Sequence, residues 1–124
     1  MKSREFLAYV AGLFDGEGCV RFYKSECISI TSCYPHHLIT ISLVFGYGKV
    51  KKVSEATDKN RTAWRYELWG KKARDFLEEI RPYLREKAYQ ADIMLTIRLL
   101  PRNSLTRERA IAELAKAKKV DYGL

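Results

Sequence analysis

The sequence predicts an α+β fold, with one four-stranded antiparallel sheet and helices packed on one of its faces. Three observations lead there. Apolar residues recur at helical spacing in some stretches and alternate with polar ones in others. These stretches follow the order α-β-β-α-β-β-α before further helices. No Pro/Gly/Ser-rich linker or internal repeat divides the 124 residues, which suffice for one independent core, so residues 1–124 are expected to form one domain.

The first helix is expected from about Ser3 to Gly16, with Ser3 as its cap and Phe6, Leu7, Val10, Leu13 and Phe14 as its apolar positions. Val20 to Ser25 and Cys27 to Ser32 read as strands joined through Ser25-Glu26, with Ile28 and Ile30 facing the core. Pro35 suits the first turn of a second helix ending near Phe45, closed by Gly46-Tyr47-Gly48. Lys49 to Ala56 and Thr62 to Trp69 read as the second hairpin, turning through residues 57–61. Lys71 to Leu84 follows as a helix with Ala73, Phe76, Leu77 and Ile80 inward, disturbed near its end by Pro82. A helix over Ala88 to Leu100 has two candidate stripes, Ala91/Met94/Leu95/Arg98 and Ile93/Ile97/Leu100, and Pro101 stops it. Thr106 to Val120 reads as a charged helix with Ile111, Leu114 and Ala117 on one side.

The formal net charge is +8, and a symmetric pair of chains would carry twice that. Such a balance favours nucleic acid or another polyanion as partner, although a solvated basic surface would look the same. The aromatic and apolar content argues against disorder. Cys19, Cys27 and Cys33 form no CxxC pair, and read as reduced, small strand residues of an intracellular protein. The basic start is not followed by a secretory apolar run, and no stretch has the apolar length to cross a membrane.

Residues 6–18 carry a local conflict. Ala8, Gly12 and Gly16 recur every four residues and form a ridge almost without side chains, on which another helix backbone can come close. Glycine inside a helix costs up to about 1 kcal/mol relative to alanine, so a compensating contact is expected there. Gly16 and Gly18 suit a helix end that needs left-handed or strained backbone. Asp15 and Glu17 add negative charge at the negative end of the helix dipole, which is unfavourable unless a cation sits nearby.

Val10-Ala11-Gly12-Leu13-Phe14-Asp15-Gly16-Glu17-Gly18 resembles the nine-residue signature of the LAGLIDADG homing endonucleases position by position. Gly16 stands at the alanine position and Glu17 at the second acidic one. Phe45-Gly46-Tyr47-Gly48-Lys49-Val50 is similar to that family's turn into its third strand, and residues 80–91 to its segment after the fourth. The resemblance covers most of the chain in the right order, with one motif copy. It implies a homodimer through the motif helices, with Ala8, Gly12, Leu13 and Gly16 at the interface. It also implies an intron-encoded enzyme that cuts double-stranded DNA at a long, pseudo-palindromic site and leaves 3′ overhangs. Divalent metal, Mg²⁺ or Mn²⁺, would be held by Glu17 with the Gly16 carbonyl beside it. Asp15, at the first acidic position, has a structural role or a place at the metal's edge. Lys87 would polarise the water network or stabilise phosphate charge. Ser32 aligns, after a gap, with a polar water-positioning residue, a part that Thr31 can also play. The location implied is the cytoplasm or nucleoid, or an organelle.

Helices on one face of the sheet leave the other free. Strand parity puts Arg21, Tyr23 and Ser25, then Ser29 and Thr31, then Lys49 and Lys51, then Arg65 and Glu67 on that open face. Basic, hydroxyl and phenol groups can contact phosphates and base edges, and strands can enter the major groove, so these nine are the expected DNA-binding residues. An ordinary solvent-facing sheet is also polar on its outer side. His36 and His37, adjacent on the second helix, point to different sides and do not suit a metal pair. Rival readings are an RNA-binding intron maturase on the same fold, a DNA-binding regulator that keeps the motif helix for dimerisation, and a small basic ribosome-associated protein.

Overall fold

The computed structural model describes residues 2–118. Helix α1 spans Arg4–Glu17, and Ser3 caps it by accepting the Phe6 N–H at 3.1 Å. Strands β1 (Gly18–Tyr23) and β2 (Ser25–Ser32) form the first hairpin, and α2 (Pro35–Phe45) follows. Strands β3 (Lys49–Ser54) and β4 (Ala63–Trp69) form the second, followed by α3 (Lys71–Ile80), a 3₁₀ turn over Arg81–Tyr83, α4 (Ala88–Ile97) and α5 (Leu105–Ala117). The sheet order is β1-β2-β4-β3 with every pair antiparallel. The two hairpins thus meet through β2 and β4.

The core lies between the sheet and the helices. Val10, Ala11 and Phe14 of α1 are fully buried, as are Val20, Ile28, Ile30 and Tyr66 of the sheet. Phe14, Phe45 and Tyr66 all pack on Phe76 of α3, with ring centroids 6.0, 4.7 and 6.0 Å away. Pairs of this kind add about 0.5–1.5 kcal/mol each beyond simple burial. The Tyr66 hydroxyl donates to the Tyr47 carbonyl at 2.9 Å, and burial pushes its pKa well above the usual phenol range.

Several boundaries differ from expectation for identifiable reasons. The first hairpin turns at Lys24, which takes a left-handed φ of 64°, rather than through Ser25-Glu26. Glu26 is needed inside the ladder: its side chain is buried against Arg74 at 3.0 Å, and its carbonyl accepts the Gly70 N–H at 2.8 Å. Helix α3 stops at Ile80 because Pro82 converts the next turn to 3₁₀ geometry. Helix α4 stops at Ile97, buries Ala91, Ile93, Met94 and Ile97 from both candidate stripes, and leaves Arg98 exposed. Ser104 caps α5 by accepting the Arg107 N–H at 3.1 Å, so that helix starts one residue early. Its expected continuation to Val120 runs past the described residues.

Gly18 is extended, with φ −84°, and Gly16 is helical, so neither supplies left-handed backbone. Gly18 is required by close approach instead. A Cβ there would lie 2.4 Å from Phe14 Cδ1 and 2.5 Å from the Phe14 carbonyl oxygen. Gly18→Ala should therefore force the core aromatic or the helix end to move and cost about 1–3 kcal/mol, read as a lower melting temperature. An unchanged melting temperature would contradict this packing.

Candidate functional site

The end of α1 is held by its own first acidic residue. Both carboxylate oxygens of Asp15 accept backbone N–H groups, from Arg85 and Lys87, each at 2.9 Å. The Lys87 ammonium turns back and donates to the Asp15 carbonyl oxygen at 2.5 Å. That carbonyl lies in the last turn of α1, where acceptors lack helical partners and the dipole is negative. The cation that the acidic helix end requires is thus supplied in part by Lys87. Asp15 is structural in this geometry: it fastens the segment after the 3₁₀ turn to the motif helix. The same turn is anchored by a two-pronged ion pair, with Arg81 Nε 2.5 Å from Asp92 Oδ1 and the second prong 2.8 Å long. Hydrogen bonds from Arg81 hold the Asp92 carboxyl below its ordinary range, so this support is present above that range and fades as acid protonates Asp92.

Glu17, the last residue of α1, is exposed, two residues beyond the Asp15 that Lys87 binds. Gly16 between them is exposed as well. Gly18 pairs with Ile30, so Thr31 and Ser32 continue β2 past the helix end. Of these two, Thr31 has the parity of the open face. Ser32 shares the parity of Ile28 and Ile30, the helix-covered side, and its Oγ accepts the Tyr34 N–H at 3.0 Å. Both hydroxyls thus accept a hydrogen bond within the chain, Ser32 from Tyr34 and Thr31 from Arg65.

The register assembles the open face in rows. Lys51, Arg65 and Thr31 lie across β3, β4 and β2, and Arg65 Nε donates to Thr31 Oγ1 at 3.2 Å. Lys49, Glu67, Ser29 and Cys19 form the next row, and Trp69, Cys27 and Arg21 the one after. Tyr23 and Ser25 pair at the hairpin end. All nine residues expected on this face share its parity. Their exposure differs: Arg21, Tyr23, Lys49 and Lys51 are exposed, whereas Ser29 is 5% exposed and offers little surface. Glu67 is tied inside the basic field, 3.6 Å from Arg21 and accepting the Trp69 indole N–H at 3.0 Å.

Trp69, Cys19 and Cys27 also belong to this face, as the parity of their strands places them. Cys27 is fully buried, and desolvation pushes its thiol pKa up, with the Glu67 carboxylate adding to the effect. Helix α5 reaches round the β1 edge, where Ile111, Leu114 and Ala115 face Arg21, Cys27 and Trp69 across a cavity of about 600 Å³. The free face is thus bordered by a helix, a feature the periodicity of α5 did not reveal. Arg61 is another basic residue near the sheet. It reaches from the β3–β4 loop to donate to the Tyr34 hydroxyl at 2.6 Å. His37 Nδ1 lies 2.7 Å from the Tyr9 hydroxyl, and both histidines are exposed.

On α1 the small-residue ridge is empty. Ala8, Gly12 and Gly16 are exposed, and a Cβ added at either glycine would find nothing within 4 Å. Leu13 is half-buried against the core. A groove of about 520 Å³ runs along Ala8, Gly12 and Asp15, walled by Pro82, Tyr83 and Arg85.

A motif helix with an acidic end, set against a sheet of order β1-β2-β4-β3 with one open basic face, is the architecture of the LAGLIDADG homing endonucleases, and the chain has that fold. The homing endonuclease I-CvuI, solved with its DNA target in the presence of calcium, superposes with a TM-score of 0.74 at 19% identity over 94% of this chain and 83% of that one. An archaeal intron-encoded homing endonuclease, I-Vdi141I, solved with DNA, gives 0.69 at 16% identity over 98% of this chain and 89% of that one. The homing endonuclease I-TnaI gives 0.61 at 17% identity over 100% and 92%. No protein-family model and no curated protein matches the sequence.

Removing the Asp15 carboxylate strips two backbone donors of their acceptor. Asp15→Ala should cost at least about 1.5–3 kcal/mol, the range for one hydrogen bond to a charged group, and lower the urea midpoint. Stability equal to the parent would show that the 85–87 segment is held by other contacts.

Proposed function

We propose that this protein is a homodimeric, metal-dependent endonuclease that cuts double-stranded DNA at a long, partly palindromic site and leaves 3′ overhangs. The observation that carries this reading is the arrangement at the end of α1. Glu17 is exposed there, two residues beyond Asp15, whose carbonyl holds the Lys87 ammonium, on a chain whose open sheet face is basic. The structural neighbours I-CvuI and I-Vdi141I are themselves complexes with DNA, which supports the same role for this sheet.

Glu17 and the Gly16 carbonyl offer oxygen donors alone, the chemistry that suits a hard ion such as Mg²⁺ or Mn²⁺. Within one chain no three His, Cys, Asp or Glu side chains gather among the described residues. An ion at Glu17 would therefore draw further ligands from DNA phosphates and from a second chain. When bound, such an ion supplies an activated water and stabilises charge at phosphorus. Lys87 adds a fixed positive charge near the reacting phosphate, and Thr31, on the open-face parity, can hold a water. The sheet residues, Arg21, Tyr23, Lys49, Lys51 and Arg65 foremost, would position the duplex.

The empty ridge on α1 supports dimerisation. Two helical glycines facing open space weaken the isolated helix by up to about 1 kcal/mol each, with no gain inside the chain. A second α1 seated on that ridge would supply the gain and bring two Glu17 side chains together.

Glu17→Gln should keep duplex binding and abolish Mg²⁺-dependent nicking of DNA carrying selected sites. Cutting at the parent rate would remove Glu17 from the centre. Gly12→Ala separates ridge from fold, because the added methyl is free in one chain but obstructs a close helix pair. The variant should stay folded while its dimer dissociates at tenfold or higher concentration, about 1.4 kcal/mol, by sedimentation. An unweakened dimer would place the interface elsewhere.

A further inference from the structure

A second cluster of positive charge lies away from the open face, at the Lys24 end of the first hairpin and so at the far end of β1 from Glu17. Lys24, Arg74, Arg98, Arg102 and Arg107 line a cavity of about 440 Å³ there, with Glu26 as the one acidic residue. Glu26 is already engaged by Arg74 at 3.0 Å. Among the described residues Lys24, Arg98, Arg102 and Arg107 form no ion pair, and the buried Nε atoms of Arg74 and Arg107 have no hydrogen-bond partner. Like charges collected in a concavity repel one another, and buried donors left unpaired are costly. A phosphate group answers both needs, because guanidinium N–H groups match its oxygens and its charge offsets theirs. The Ser104 hydroxyl at the start of α5 is occupied by the Arg107 N–H, so the side chains make the site, not the helix end.

The surroundings indicate where such a phosphate comes from. A hollow of about 410 Å³ shares Phe22, Lys24, Arg102 and Arg107 with this cavity and continues to Ile111. Phe22 and Ile111 also line the cavity between α5 and the open face, beside Arg21 and Tyr23. A continuous track therefore runs from the open face round the β1 edge to the arginine cluster; its carboxylates are Glu67, Glu108 and Glu26, of which Glu67 and Glu26 are already engaged by Arg21 and Arg74. The Arg107 guanidinium lies over the Phe22 ring at 5.5 Å, which takes away the aromatic floor on which a nucleotide base could stack.

We propose that Lys24, Arg98, Arg102 and Arg107, with Arg74, form a phosphate site that takes a backbone phosphate of the bound duplex beyond the stretch lying on the sheet. The inference rests on the DNA-binding reading and extends its footprint. Arg98 and Arg102 are exposed, so replacing both by glutamine leaves the core alone. Affinity for a long random-sequence duplex is measured by anisotropy across a salt series, with a chelator present to prevent cutting. Each lost phosphate contact lowers the slope of log affinity against log salt by about 0.9, so the double variant should lose about 0.9–1.8 of slope. Arg109→Gln combined with Lys116→Gln removes the same charge from residues that do not line the cavity, and should keep the parent slope. A slope unchanged in the double variant, or lowered equally in the control, overturns the proposal while leaving the sheet reading intact. A parent protein that binds no duplex overturns both. Calorimetry with inorganic pyrophosphate distinguishes the source. Saturable binding lost in the double variant, with the duplex slope unaffected, assigns the cavity to a free phosphoanion and overturns the duplex assignment. Should the double variant melt lower than the parent, Arg102→Gln alone is read in the same way.

Discussion

The structure depends on the clasp between Asp15 and the chain seventy residues on. A helix end is a poor place for carboxylates, since the dipole already makes it negative. Here that penalty is turned to use. Asp15 is neutralised in effect by two backbone N–H groups and by the Lys87 ammonium on its own carbonyl. The contact spans α1 and the segment between the 3₁₀ turn and α4, so it fixes the motif helix relative to the rest of the core. It also fixes Lys87, whose long side chain would otherwise lose much of its freedom without compensation. One carboxylate is thereby consumed in support, and the next, Glu17, is left exposed at a defined position.

The sheet is held to that helix end by a second constraint, the contact of Phe14 with Gly18. With no Cβ at position 18, β1 can leave the helix directly against the Phe14 ring. The register then follows without slack: Gly18 against Ile30, Thr31 against Arg65, Arg65 against Lys51. A slip of one residue would turn the isoleucines outward and the basic residues into the core, so burial of one face specifies the composition of the other. Glu67 shows how the basic face avoids excessive self-repulsion. It sits among Arg21, Lys49 and Arg65, and its own position is set by the Trp69 indole.

Much of this was legible in the sequence because it follows from period and parity. Alternation in the strands put all nine open-face residues on one side, and Ser3 and Pro35 marked helix starts by local chemistry that tertiary contacts did not override. What escaped depended on partners distant in sequence. The turn moved from Ser25-Glu26 to Lys24 because Arg74 takes the Glu26 carboxylate, a pairing 48 residues apart. Gly18 was correctly read as special but for the wrong reason, since φ is ordinary and the crowding comes from Phe14. Helix α5 hid most, because a charged helix with a modest apolar stripe does not say which sheet edge it will border.

One feature of α1 remains at odds with the chain taken alone. Local choices in a folded sequence usually agree with the structure around them, and violations mark places where something else is being selected. Gly18 satisfies that rule inside one chain, while Gly12 and Gly16 do not: the space over them is open, and alanine would serve the helix better. Their exposed neighbours, Ala8 on the same ridge and the groove beside Tyr83 and Arg85, offer a surface that a backbone can approach closely. The ridge runs straight to Glu17, so whatever settles on it comes to the acidic end as well. In the proposed dimer a second copy would bring another carboxylate, and a shared cation would relieve the repulsion between the two. On that proposal, packing along the ridge and chemistry at its end would be one requirement, met by a single helix.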